Sequence, residues 1–162
     1  MRIFASQLRR RKLPRSGAFT LVELLIIIAL IGTITTIIVP GFIGYIDRAS
    51  RNRVIHDLLD LQVEIESFER FQERFPDTLD ELSDGVPSYD RWGNPYQYLS
   101  SESKDWNGKA RKDRFLVPLN SDYDLYSMGP DGVSASPLTA KASWDDIVRA
   151  NDGLYVGPAN EF

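Results

Sequence analysis

The sequence contains no cysteine, one histidine and two methionines among 162 residues. Without cysteine no disulfide can staple a small domain, and the redox compartment leaves no mark on the chain. The single histidine, His56, lies beside Asp57 with basic neighbours in a helical pattern, where it reads as a solvated helix residue rather than a catalytic base. Glycine-rich phosphate loops and zinc-ligand spacings are absent, and nothing places a serine in a nucleophile elbow. Enzymatic chemistry therefore has no motif to rest on.

Positive charge is outnumbered by acid outside the first residues. Residues 1–18 hold Arg2, Arg9, Arg10, Arg11, Lys12 and Arg15 without an acid, a local +6; the whole chain carries −4, so the remainder carries −10. An acidic body offers no basic surface for the phosphate contacts that drive nucleic-acid binding, and no nucleic-acid partner is expected. With 43% hydrophobic and 26% charged residues, the chain fits one modest domain plus a separate N-terminal device.

That device is a long apolar run. Leu24 to Ile46 is 23 residues without a charge. At about 1.5 Å per residue such a helix reaches across a bilayer core of about 30 Å. The basic cluster before it places the N-terminus in the cytoplasm and the body outside. A secretory signal peptide, with an apolar region of roughly 7–15 residues and a small-residue cleavage site, is too short to match. Glu23 stands immediately before the run, a few residues into the apolar helix. A carboxylate at a membrane centre costs about 2.5–3.5 kcal/mol on insertion scales and less near an end. Either it marks a helix start, where negative charge suits the dipole, or it awaits a cationic partner.

The basic leader, "FTLVELLIIIALIG" and a proline two-thirds along the apolar segment together resemble the N-terminus of type IV prepilins and type II secretion pseudopilins. The resemblance implies cleavage by a prepilin peptidase between Ala18 and Phe19, N-methylation of Phe19, and an assembly role for Glu23 and Pro40. Counting Phe19 as the first mature residue makes Glu23 the fifth and Pro40 the twenty-second, both as in the family. The family usually has glycine before the cut; here Ala18 stands there and Gly17 is one further back. Cleavage after Gly17 would spoil both matches. In the family the new amino group pairs with the glutamate of a neighbouring subunit. An α-amino group with a pKa of about 8 is mostly cationic at neutral pH, and in a low-dielectric filament core both charges need partners.

Beyond the apolar run the helix is expected to continue to about Glu73 and to end near Phe75-Pro76, because a residue before proline is pushed from helical geometry. Pro40-Gly41 interrupts its hydrogen-bond ladder, and Gly32-Thr33-Ile34-Thr35-Thr36 would ease local unwinding. Val54, Leu58, Leu61, Ile65 and Phe68 form one apolar stripe. The stripe packs against the chain's own domain or, alternatively, forms a coiled-coil seam, for which two heptads are short. Thr78 and Glu81 look like a capping box opening a short helix. "PYQYLS", "RFLVPL" and "DYDLYSM" read as strands, with Ser103 to Asp113 a polar loop tipped by Asn107-Gly108. The fold class is α+β: a pilin-like long helix against a small antiparallel sheet, divided as leader 1–18, membrane or filament-core helix 19–46 and periplasmic domain 47–162.

"DRWGNPYQY", Asp90 to Tyr98, imposes a turn through Gly93 and Asn94-Pro95 and supplies packing area through Trp92 and Tyr96. The string resembles a segment of the major pseudopilins, the G subunits of type II secretion, with Arg91 where proline is usual. "DYDLYSMGPDG" resembles the strand entering their calcium loop. By that resemblance Met128 would offer a carbonyl and Asp131, Asp145 and Asp146 carboxylates, oxygen donors suited to calcium. The connection between them is several residues longer than usual, and Trp144 precedes rather than follows Asp145-Asp146-Ile147. Alternatively, Asp145 and Asp146 occupy the first turn of a short helix capped by Ser143.

The resemblance implies a structural, non-enzymatic subunit. It would be anchored in a bacterial inner membrane and polymerised into a periplasmic filament that drives secretion, with minor pseudopilins, the prepilin peptidase and an assembly platform with its ATPase as partners. A type IV pilus subunit, a minor pseudopilin and a membrane-tethered periplasmic binding module are the alternatives.

Overall fold

A computed structural model describes residues 19–83 and 85–162; the leader, including Ala18 of the expected cleavage bond, lies outside them. Two compact units divide between Phe42 and Ile43. Helix α1, Leu21–Gln72, contributes to both.

In the first unit α1 is apolar on every side. Leu21, Leu25, Ile28, Ile31 and Ile34 are all exposed, and Ile37 is 79% exposed. Among the described residues this is the one helix long and apolar enough to cross a membrane. Helices apolar all round need a surrounding other than water. The threonine hydroxyls within the run are satisfied internally: those of Thr33, Thr35 and Thr36 donate to the carbonyls of Leu30, Ile31 and Gly32 at 2.8, 2.7 and 2.8 Å. Helix α1 is unbroken through Gly32–Thr36 and past Pro40-Gly41, where the sequence predicts interruption. A proline removes one ladder bond, which the turns on either side can carry.

The second unit is built on the other half of α1. Val54, Leu58, Leu61 and Ile65 are buried together with Leu82, Tyr96, Tyr123, Leu125 and Ile147, and Phe68 packs at the edge. The stripe therefore meets the chain's own sheet. Helix α1 ends where Glu73 turns left-handed at φ 55, its N–H still donating to the Glu69 carbonyl at 2.8 Å.

The sheet has four strands, β1 Gln97–Ser100, β2 Tyr123–Ser127, β3 Ile147–Ala150 and β4 Tyr155–Pro158, in that spatial order with antiparallel neighbours. Alternation sorts the side chains of the inner strands. Tyr123, Leu125 and Ile147 point to α1. Val148 and Ala150 pack with Leu119, Leu138 and Ala159 on the opposite face, where Tyr126 covers them. Loops 111–119 and 134–143 thus act as a third layer, and β3 is buried along its whole length.

Four local expectations are corrected. "RFLVPL" is no strand: Asp113 N–H donates to the Leu116 carbonyl at 2.9 Å and Leu119 N–H to the Arg111 carbonyl at 2.7 Å, so the segment folds on itself. Pro118 has no N–H to give a ladder, and Phe115 faces solvent at 91% exposure. Around Asn107-Gly108 the chain forms a one-turn helix, α2 Trp106–Lys109, pinned by Lys109 to Asp105 at 2.7 Å. At Thr78 only a 3-10 turn, Leu79–Glu81, forms without a side-chain cap; Glu81 instead accepts from Asp77 N–H at 2.7 Å and pairs with Arg74 at 2.6 Å. Ser143 caps no helix at Asp145-Asp146: it ends a 3-10 turn, Lys141–Ser143, and β3 starts at Ile147.

Candidate functional site

The start of α1 carries a capping box. Glu23 N–H donates to Thr20 Oγ1 at 3.2 Å, and Glu23 Oε2 accepts from Thr20 N–H and Oγ1, each at 3.1 Å. Two donors at the open helix end are satisfied reciprocally. The Thr-Leu-Val-Glu spacing carries this signal, which sequence reasoning placed at Thr78 and overlooked here. The bonds use Oε2; among the described residues, Oε1 accepts none. Phe19, 73% exposed, stands one residue before the box. A carboxylate is thus held at the first turn of an uncovered apolar helix, beside the residue expected to become the N-terminus. Such an arrangement can accept a cation, or a second copy of the same helix end.

The "DRWGNPY" turn is a junction within the second unit. Buried Asp90 accepts from Trp92 N–H and Asn94 N–H, both at 2.9 Å, through Oδ1, and from Ser127 Oγ at 2.5 Å through Oδ2. Gly93 supplies the left-handed φ of 90 that closes the turn. Tyr96 reaches α1, its hydroxyl donating to Asp57 Oδ2 at 3.0 Å. Burial, reinforced by that carboxylate, pushes the phenol well above its ordinary value of 10.0. On the other side Asn94 Nδ2 donates to the Gly129 carbonyl at 2.7 Å, tying the turn to the loop that follows β2.

That loop, residues 128–146, holds the residues expected to bind calcium. Asp131 and Asp145 come near each other: Asp131 N–H approaches Asp145 Oδ2 at 3.4 Å, while Asp131 Oδ1 accepts from Val133 N–H at 2.8 Å. Met128 is half-buried where β2 ends. Asp146 serves another partner. Its Oδ2 accepts from Arg111 Nη2 at 2.6 Å and Ser134 Oγ at 2.5 Å, with both members of the ion pair buried. Burial raises the Asp146 carboxyl above the ordinary aspartate value of 3.8; its bonds to Ser134 and Arg111 oppose this without reversing it. Asp124, also raised chiefly by burial, accepts from Arg111 N–H at 2.6 Å and Asn120 Nδ2 at 2.9 Å. Among the described residues no group of three or more His, Cys, Asp or Glu side chains is arranged to hold a metal ion.

A second ion pair, between buried Arg149 and half-buried Asp122, escaped sequence reasoning. Arg149 on β3 grips Asp122 with two bonds, 2.8 and 2.6 Å, lies over the Tyr123 ring at 4.0 Å, and reaches Gln62 on α1 at 3.3 Å. The only local signal is Asn151-Asp152-Gly153, a hairpin turn that would have marked "IVRA" and "YVGP" as paired strands.

No family model and no solved structure matches the chain. Curated proteins do. The chain is 26% identical to the type II secretion system core protein G of Klebsiella pneumoniae, covering 76% of this chain and 91% of that protein. It is 28% identical to the core protein G of Aeromonas hydrophila over 73% of this chain and 85% of the relative, and 28% identical to that of Xanthomonas campestris pv. campestris over 75% and 85%. With a long N-terminal helix laid on a small antiparallel sheet, the chain is therefore similar, over about three quarters of its length, to type II secretion core protein G.

Proposed function

We propose that this chain is a pseudopilin-like structural subunit of a type II secretion system. It inserts through the apolar part of α1 with its N-terminus cytoplasmic and its body periplasmic. A prepilin peptidase cuts between Ala18 and Phe19, Phe19 is methylated, and the subunits polymerise with minor pseudopilins into a periplasmic filament through an inner-membrane platform and its ATPase. The observation that carries this reading is Glu23, bonded in a capping box at the start of a helix whose apolar first part, among the described residues, is exposed. In a filament those surfaces meet other copies. Glu23 Oε1 then accepts the ammonium of a neighbour's Phe19, while Oε2 keeps the helix end closed. Pro40, within α1, supports the reading as a point of adjustment when subunits leave the bilayer.

The test is a pair of variants, Glu23→Ala and Glu23→Leu, expressed with the secretion machinery. Processing is expected to continue, with the mature chain beginning at Phe19 by N-terminal sequencing, while filaments seen by electron microscopy fall at least tenfold. Filaments at the normal level would remove Glu23 from assembly. A mature chain beginning at Ala18 would move the cleavage bond.

A further inference from the structure

Calcium takes six to eight oxygens, and the loop after β2 does not assemble them. Asp131 Oδ1 is used by the loop's own Val133 N–H, and Asp146 Oδ2 is used by Arg111 and Ser134. One buried carboxylate oxygen, Asp146 Oδ1, has no partner, but it belongs to a group whose charge Arg111 already balances. The calcium set inferred from the pseudopilin resemblance does not fit these residues.

We propose that the guanidinium of Arg111 does in this chain the work of a bound cation, holding the loop to the sheet so that the domain stands without calcium. The side chain of Arg111 is 3% exposed and ties an inner part of the loop to its end: Nη1 donates to Ser134 Oγ at 2.6 Å and Nη2 to Asp146 at 2.6 Å. Its plane lies over the Tyr126 ring of β2 at 4.0 Å, a cation on an aromatic face. The backbone carrying it is fixed independently, Arg111 N–H donating to Asp124 of β2 and its carbonyl accepting from Leu119. A divalent ion beside this guanidinium would meet like charge in a poorly screened interior.

The rest of the loop also closes on protein groups. Ser143 Oγ donates to the Ala135 carbonyl at 2.7 Å and accepts from Ala135 N–H at 3.0 Å, so the loop is pinned across its middle. Ser136 Oγ donates to the Ala110 carbonyl at 2.7 Å, and the Lys112 and Leu138 N–H groups pair the loop with the Arg111 segment.

The inference goes beyond the assembly reading and does not depend on it, since it is read in the stability of the unassembled subunit. Thermal unfolding of the full chain in detergent micelles is compared in calcium chloride and in chelator. The expected result is the same Tm within about 1 °C, with Arg111→Met lowering it by roughly 10 °C or more because a buried carboxylate is left unpaired. Should Arg111→Met fail to fold, Arg111→Met with Asp146→Leu, which removes both charges, is expected to restore a cooperative transition. A rise of several degrees in the wild-type Tm with calcium, lost in Asp131→Asn with Asp145→Asn, would overturn the proposal. So would an Arg111→Met variant as stable as the wild type.

Discussion

Gly129 sits at φ 66 where β2 ends, and a Cβ there would collide with the Asp145 carbonyl oxygen. The same residue gives its carbonyl to Asn94, so the crossing of turn and loop depends on a backbone that approaches without a side chain. Asp90 completes the crossing from the other direction. Its buried carboxylate satisfies two turn N–H groups and Ser127, and each donor would be stranded by truncation. Asp90→Ala is therefore expected to destabilise the domain by about 2–4 kcal/mol, measured by urea unfolding. The residue types of this turn were legible in the sequence because glycine, asparagine and aspartate announce local geometry. The buried Arg111 and Arg149 were not, since burial of a guanidinium depends on a carboxylate 35 or 27 positions away.

Among the elements, the apolar stripe of α1 was readable because its spacing follows from helix geometry, and the structure puts Val54, Leu58, Leu61 and Ile65 against the sheet. Leu61→Ala leaves a cavity in that contact and is expected to cost about 2–5 kcal/mol by chemical denaturation, whereas truncating exposed Phe71 is expected to cost under about 0.5 kcal/mol. Strands were read less well. "DYDLYSM" became β2, but "RFLVPL" has the composition of a strand without a partner, and its proline and internal turn turned it aside. Conversely, β3 hides in "IVRA" behind two aspartates that suggested a helix start. Pairing with Gly157 and Val156 of β4, rather than intrinsic preference, makes it a strand.

For the whole molecule, charge and pH give a further expectation. Asp152 lies in the β3–β4 turn, and its carboxyl is held below 3.8 chiefly by the Ser121 N–H at 2.6 Å. A depressed carboxylate contributes stability that is present above its unfolded value and lost as pH falls through its folded one. Asp152→Asn is therefore expected to lower Tm at pH 7 and to converge on the wild type as pH drops below about 4, by thermal unfolding at stepped pH. Asp124 and Asp146 have the opposite sign. Burial raises their folded values, so the stability linked to their protonation is present at low pH and lost as pH rises through those values. Acid should consequently weaken this domain less than the loss of its depressed carboxylates alone would.

The sequence by itself determined the long apolar helix, its acid near the start, the buried face of its second half and the α+β class. Each follows from periodicity, length or local turn chemistry within a few residues. Only the tertiary structure decided that β3 is buried on both faces and that Asp146 faces Arg111. The capping box of Thr20 with Glu23 was local and simply overlooked. The two tertiary features were out of reach, because which carboxylate meets which cation is settled by chain crossings that bring distant segments within 3 Å, and no spacing along the sequence encodes that distance.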